Sequence, residues 1–155
     1  MNRRKFIKRA GITSACICGS ALIYHTGAAN KMINVFEAAD DTYKVEGDKL
    51  IIDLESNKKL SAGEDALKLK FNYKGEKMKV LVFRKQPDTY MAFENRCTHG
   101  GMSLKYKSES GELRCTSFGA SSFDLEGNVT GGPAPSPLKK FEVEQKENLL
   151  YVSLS

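Results

Sequence analysis

The sequence has few residues that can bind a metal or carry out catalysis. Among its 155 residues are four Cys and two His, and past residue 30 only Cys97, His99 and Cys115 remain. No paired carboxylates, no Ser-His-Asp arrangement and no phosphate-binding loop can be recognised. These absences argue against hydrolytic or phosphoryl-transfer chemistry by this chain alone. They leave one group of chemically distinctive residues.

An excess of one charge is also missing from the globular part. The net charge is +5, but five of the 24 Lys and Arg stand in the first nine residues, so the rest equal the 19 Asp and Glu. A neutral globular part gives no argument for nucleic-acid binding. The length is that of a single domain with a sizeable core.

The distinctive residues stand in two short segments. The first is Cys97-Thr98-His99-Gly100-Gly101, and the second, Cys115-Thr116-Ser117-Phe118-Gly119, begins after fifteen residues that follow His99. Thiolate and imidazole are the ligands that soft and borderline metals prefer. Glycines allow backbone N–H groups to approach the sulfur atoms closely. The sequence therefore predicts a metal site held by Cys97, His99 and Cys115.

This pattern resembles the Rieske [2Fe-2S] signature, Cys-x-His followed by Cys-x-x-His. Glu94-Asn95-Arg96, Phe123-Asp124-Leu125 and the proline-rich segment 132–138 are also similar to the family, and the likeness extends over residues 65–154. The resemblance implies that two Cys hold one iron and two His hold the other. It also implies that the proline-rich segment covers the cluster.

The second His of the signature is absent. It should stand at Phe118 when counted from Cys115, at Gly119 when counted back from Phe123, or at Ala120 if neither count holds. None of these three side chains can bind iron, so His99 is the only protein ligand expected for the outer iron. A large apolar side chain at position 118 could fill the volume of the missing imidazole.

Four interpretations of the site remain open. A [2Fe-2S] cluster could take a substitute ligand, which could be water, a group from a partner protein, or a hydroxyl of Ser117, Ser121 or Ser122. The domain could lack metal and act as a structural or docking subunit. The three ligands could hold a single ion such as zinc, with water in the open position. Finally, Cys97 and Cys115 could form a disulfide outside the cytoplasm.

Residues 1–29 are predicted to be a targeting segment and not part of the fold. Asn2 to Lys8 resembles the twin-arginine export motif. The residues 10–29 that follow are about long enough to span a bilayer as a helix. We therefore expect a leader or membrane anchor, with the domain in the periplasm or on the outer face of the cytoplasmic membrane. Residues 30–42 are expected to form a tether.

Residues 43–155 are predicted to form an all-β, Rieske-like domain. Short alternating segments such as Leu67–Tyr73 are separated by turn residues, as in sandwiches and barrels. Leu104–Tyr106 and Glu112–Cys115 are expected to form a hairpin that brings the two metal loops side by side. The resemblance implies a stack of antiparallel sheets with the cluster at one tip.

The function implied by the resemblance is electron transfer within a membrane respiratory complex. The partner would be a cytochrome or a molybdenum oxidoreductase subunit. The alternative is a subunit of the same fold without a cluster, acting in structure or docking. In either case the chain is expected to be a component of an assembly and not an enzyme alone.

Overall fold

The computed structural model describes residues 36–37, 42–63 and 65–155, with the backbone alone at residues 36–37. The leader or anchor predicted over residues 1–29 lies outside them, and so does most of the predicted tether. Among the described residues no helix is both long enough and apolar enough to cross a bilayer. The elements, in chain order, are β1 Phe36–Glu37, β2 Tyr43–Glu46, β3 Lys49–Asp53, α1 Lys58–Ala62, β4 Leu67–Tyr73, β5 Glu76–Gln86, β6 Thr89–Glu94, β7 Leu104–Lys107, β8 Glu112–Cys115, β9 Ser122–Phe123, β10 Val129–Gly131, β11 Lys140–Phe141, β12 Val143–Lys146 and β13 Leu149–Ser153.

The strands form three sheets. Their orders are β1-β4-β5-β6-β11, β10-β9-β8-β7 and β12-β13-β3-β2. Neighbouring strands run antiparallel except for β1, which pairs in parallel with β4. The predicted all-β, Rieske-type arrangement of antiparallel sheets is confirmed.

The five-stranded sheet contributes to two separate cores, because side chains alternate between its two faces. Along β5, Val80 and Val82 pack into one core, whereas Leu81 and Phe83 pack into the other. The first core also takes apolar residues of β3 and β13. The second takes residues of β7, β8 and β9 and includes both Cys97 and Cys115. The site is therefore built against the second core.

Two elements of the fold were not predicted from the sequence. The segment Lys58–Ala62 forms a single helical turn that ends at Gly63, where φ is 74°. The buried Asn57 precedes this helix and donates from its side-chain amide to the carbonyls of Asp53 and Thr42, at 2.7 Å and 3.3 Å. The second element is β1, which lies within the stretch expected to be a tether.

The predicted hairpin is present and positions both metal loops. Strands β7 and β8 pair from Leu104 opposite Cys115 to Lys107 opposite Glu112. Cys115 is thus the last residue of β8, and the loop that holds Cys97 and His99 leads directly into β7. The two predicted metal loops meet at the open end of this hairpin.

Candidate metal centre

Hydrogen bonds between backbone groups give each metal loop its shape. In the first loop the N–H of Cys97 donates to Met102 and the N–H of Gly101 donates to Cys97, both at 2.8 Å. The second loop is closed by a bond of 2.8 Å from the N–H of Cys115 to the carbonyl of Ser121. Each loop is therefore a tight turn anchored at its cysteine.

The two loops are also bonded to each other. The backbone N–H and the hydroxyl of Thr116 both donate to the carbonyl of Ser103, at 3.0 Å and 2.9 Å. This connection holds the sulfur atoms of Cys97 and Cys115 side by side. Both side chains are buried, with 1% and 4% of their surface exposed, and both are free thiols.

The two sulfur atoms share one polar environment. Burial raises the pKa of the Cys97 thiol, and its hydrogen bond to Cys115 raises that pKa further. A hydrogen bond from the backbone N–H of His99 acts in the opposite direction and lowers it. Burial also raises the pKa of Cys115, but donation from the hydroxyl and N–H of Ser117, from Cys97 and from the N–H of Thr116 outweighs it, so this pKa lies below its ordinary value. The two thiols thus share a hydrogen bond that shifts their pKa values in opposite directions.

The part of the site expected to hold the outer iron is less complete than the part formed by the two thiols. His99 is exposed. Within residues 42–63 and 65–155, no group of three or more His, Cys, Asp or Glu is arranged to hold a metal ion. The structure thus brings the two thiols together but does not group His99 with them. This arrangement gives no support to a single ion held by all three side chains.

Phe118 does not fill the place of the missing imidazole. Its side chain is fully exposed, at 105% of the reference surface, so the interpretation that it packs inward is wrong. Gly119 is also exposed, and Ala120 is half-buried. None of the three positions at which the second His was sought supplies a side-chain ligand.

Of the three hydroxyls considered as a substitute ligand, one lies beside a cysteine sulfur. The Ser117 hydroxyl oxygen is 3.1 Å from the sulfur of Cys115. Ser121 is completely buried, and its hydroxyl accepts a hydrogen bond of 3.0 Å from the N–H of Ala134. Ser122 belongs to β9.

The donor set can be compared with the requirements of a [2Fe-2S] cluster. Two adjacent thiols, each surrounded by backbone N–H donors, fit the iron that takes two thiolates. The other iron would have His99 as its one imidazole. The chain therefore fits one half of such a cluster fully and the other half in part.

The proline-rich segment is bonded to both metal loops. The hydroxyl of Thr98 donates to the carbonyl of Ser136 at 2.7 Å, which ties the segment to the first loop. The bond from Ala134 to Ser121 ties it to the second. This segment thus restrains the distance between the loops.

Sequence reasoning did not identify Asn95 as a positioning residue. Its side chain is 2% exposed, and its carbonyl oxygen accepts a bond of 2.7 Å from the N–H of Leu104. Its own N–H donates to the carbonyl of Lys79 at 2.8 Å. Asn95 therefore connects the start of the first loop to Leu104, where the loop ends. The only signal in the sequence was that a polar residue stands two positions before Cys97. Polarity alone does not show that this residue is buried.

Asp124 organises the turn that follows the second loop. One of its carboxylate oxygens accepts from the N–H groups of Glu126 and Asn128, at 2.9 Å and 2.8 Å, and the other accepts from the amide of Asn128 at 2.9 Å. Burial raises the pKa of Asp124, but these hydrogen bonds outweigh it, so the pKa lies below its ordinary value. The ionised carboxylate therefore stabilises this turn.

We expect Asp124→Asn to lower the free energy of unfolding by about 1 kcal/mol at neutral pH, a modest value because the carboxylate is partly exposed. A depressed pKa contributes stability above the unfolded value of about 3.9, which is lost as pH falls through the folded value. The difference from the unmodified protein should therefore shrink as pH decreases below about 4. Urea unfolding across this range would measure it, with Glu109→Gln in an exposed turn as control. A difference that stays constant down to the lowest pH would contradict this assignment.

Several known proteins are similar to this chain. The family described as Rieske [2Fe-2S] domain matches residues 52–142, which is more than half of the chain. The cytochrome b6-f complex iron-sulfur subunit 2 of Nostoc sp. strain PCC 7120 is 33% identical over 63 residues, or 41% of this chain and 35% of that protein. The protein of the same name from Trichormus variabilis gives the same values. The aligned region thus spans about a third of these curated relatives.

Two solved structures are also similar to this chain. The plasma membrane Rieske protein PetC3 from Synechocystis PCC 6803 has 25% identity and a TM-score of 0.48, over 62% of this chain and 92% of that one. The ferredoxin of carbazole 1,9a-dioxygenase from Nocardioides aromaticivorans has 23% identity and a TM-score of 0.47, over 57% of this chain and 85% of that one. With more than half of its residues matched by the family, this chain belongs to the Rieske [2Fe-2S] domain family.

Proposed function

We propose that this protein is an exported Rieske-type electron carrier that binds a [2Fe-2S] cluster through Cys97, Cys115 and His99. The observation that carries the proposal is the pair of buried, free thiols in hydrogen-bond contact at the ends of two bonded loops. When bound, the cluster would accept and release one electron at a potential set by its imidazole and thiolate ligands. Family membership supports the same cofactor.

The chain's own residues would hold and insulate the site. The N–H groups of His99, Gly100 and Ser117 are directed at the two sulfur atoms, where they stabilise thiolate charge. Buried apolar side chains of the second core exclude water from beneath the thiols, namely Leu104, Leu113 and Phe123. His99 is exposed, so a partner can approach it.

The fourth ligand would be a substitute for the absent imidazole. The Ser117 hydroxyl is one candidate, because it lies 3.1 Å from the sulfur of Cys115, although it would have to leave that sulfur to bind the outer iron. Water or a group from a partner protein are the alternatives. An oxygen ligand would keep more negative charge on the outer iron than a neutral imidazole does, which favours a low potential.

The predicted leader and the names of the relatives support a proposal for the partner and the location. Two of the relatives are named as cytochrome b6-f subunits and one as a plasma membrane protein. We propose a cytochrome or molybdenum oxidoreductase subunit as partner, on the outer face of the cytoplasmic membrane. Residues 10–29 would supply the anchor.

A second candidate function is a docking subunit without a cluster. The contact between two free thiols favours it, because buried cysteines this close could be joined by a disulfide in an oxidising compartment. The absence of a second imidazole ligand points in the same direction. Chemical analysis of the purified protein distinguishes the two candidates.

Protein purified without chelators is expected to contain about two iron and two acid-labile sulfide per chain. Its oxidised absorption spectrum and reduced electron-spin-resonance signal should differ from those of a two-His Rieske centre, because one imidazole is replaced. Iron assay, sulfide assay and both spectra measure this. An ordinary two-His spectrum would overturn the three-ligand site. If the protein contains no iron, and if Cys97 and Cys115 react with a thiol reagent only after reduction, the docking subunit without a cluster would be established.

Replacement of both Arg3 and Arg4 by Lys is expected to keep the protein in the cytoplasm. The twin-arginine pathway depends on the guanidinium pair, which lysine does not reproduce despite its charge. Fractionation of cells expressing each form gives the measurement. The matched control is Lys5→Arg with Lys8→Arg, which leaves the pair intact and should be exported normally. Unchanged export of the double Lys variant would refute the assignment of the leader.

A further inference from the structure

Two large apolar side chains are exposed at the end of the molecule that bears the metal loops. Among the described residues, the exposed large hydrophobic side chains are Val45, Met102 and Phe118, at 36%, 49% and 105%. Met102 follows the first loop and Phe118 is in the second, and these loops are joined through Ser103 and Thr116. Single exposed apolar residues are ordinary, but two on adjoining loops form a patch that association can bury.

A basic groove adjoins the first loop. It has a volume of about 340 Å³ and is lined by Lys77, Lys79, Glu94, Asn95, Arg96, Gly100 and Gly101. Three cations thus face one carboxylate. Within the described part of the chain, none of the three cations forms an ion pair. A groove with this charge attracts anionic groups, and its concave shape admits side chains that project into it.

Acidic residues are absent from the loops around this patch. The segments 95–108, 113–123 and 127–141 contain no Asp or Glu, although the globular part as a whole is neutral. Glu112, at the far end of the hairpin, is paired with Lys107 at 2.9 Å. The segments around the metal loops therefore carry only basic charged side chains, and Glu94 is the one carboxylate of the adjoining groove.

We propose that Met102, Phe118 and the basic groove form one docking surface for an acidic partner protein. Phe118 would enter an apolar pocket of the partner, and carboxylates at the rim of that pocket would occupy the groove between Lys77, Lys79 and Arg96. The proposal goes beyond electron transfer, because it depends only on exposed side chains and holds whether or not a cluster is bound. A partner protein with an apolar pocket and an acidic rim would complement the exposed side chains and the groove together, and binding to an anionic membrane is the outcome that a lipid adduct would reveal.

The first experiment locates the partner in intact cells. A photoreactive benzoylphenylalanine replaces Phe118 in the full chain, and the same residue replaces Val45 in a matched control on β2. We expect illumination to give a covalent adduct with one other protein from position 118 and none from position 45. The peptide joined to position 118 should lie beside a cluster of Asp and Glu.

The second experiment measures the affinity of the purified partner. Phe118→Ala should weaken binding about 30-fold, as expected for a central aromatic anchor. Lys77→Glu with Lys79→Glu should weaken it about 10-fold at low salt and less at high salt, because the contacts are electrostatic. Lys44→Glu with Lys58→Glu, which carries the same charge change away from the groove, should bind normally. Iron content is measured in parallel, so loss of the cluster is not mistaken for loss of docking.

Several outcomes would overturn the proposal. They are no adduct from position 118, an adduct with a second copy of this chain, and an adduct with lipid. An affinity that changes neither with salt concentration nor in the Lys77→Glu, Lys79→Glu variant would also show that the partner surface is not acidic. If the Lys44→Glu, Lys58→Glu control lost binding to the same extent, the effect would be one of overall charge and not of a specific contact with the groove.

Discussion

Replacement of either Cys97 or Cys115 by Ala is expected to remove essentially all bound iron. Both sulfur atoms are needed because the two thiols would hold the same iron, and one imidazole and one hydroxyl cannot compensate for a lost thiolate. The substitutions remove little volume, and they leave the large apolar side chains of the second core in place. The protein should therefore stay folded while its iron content falls.

The matched control uses the chain's other two cysteines. Cys16→Ala with Cys18→Ala removes two thiols from the leader, one more than either test variant, and should leave iron content unchanged. Iron assay, far-ultraviolet circular dichroism and visible absorption are measured on all forms. Iron retained at the unmodified level by a folded Cys97→Ala or Cys115→Ala variant would show that the metal is held elsewhere.

The all-β class could be predicted because the alternation of side chains is strong where strands are half-buried, whereas the stack of sheets was implied by the family resemblance. Leu67–Tyr73 alternates apolar and polar residues and forms β4. The hairpin of β7 and β8 could be predicted for the same reason, with a polar turn between two short apolar segments. The ligand loops could be found because Cys and His are rare in this chain. These features depend on local sequence, which is why a single sequence reveals them.

The parts that were not predicted depend on tertiary contacts. Helix α1 has five residues, too few to show helical periodicity, and its start depends on hydrogen bonds from Asn57 to carbonyls of other segments. The burial of Asn95 is decided by its bond to Leu104, which the sequence does not display. Likewise, the identity of Phe118 suggested an inward position, but the second loop leaves it in solvent.

Tertiary contacts also explain why, within the proline-rich segment, Gly132 is the position at which a side chain would be tolerated least. Its φ is +83°, a conformation that side-chain-bearing residues rarely adopt. A Cβ atom there would lie 2.6 Å from the Cα of Ser121 and 3.0 Å from the carbonyl oxygen of Ala120. Both are backbone atoms of the second loop, so a rotamer change cannot relieve the contact.

Gly132→Ala is therefore expected to lower the free energy of unfolding by about 3 kcal/mol, the sum of backbone strain and overpacking. For a chain of this size the melting temperature should fall by about 10 °C. The neighbouring Gly131→Ala is the control, because its Cβ would meet nothing within 4 Å and its φ is not positive. Thermal unfolding of both variants gives the measurement.

The consequence for the site can be tested in the same variants. If the proline-rich segment moves away from Ser121, the bond from Ala134 to the Ser121 hydroxyl is lost, and that hydroxyl is left buried without its partner. The second loop should then loosen, and Gly132→Ala should release iron faster to a chelator than Gly131→Ala does. Equal melting temperatures and equal release rates would mean that the segment can shift without disturbing the loop that carries Cys115.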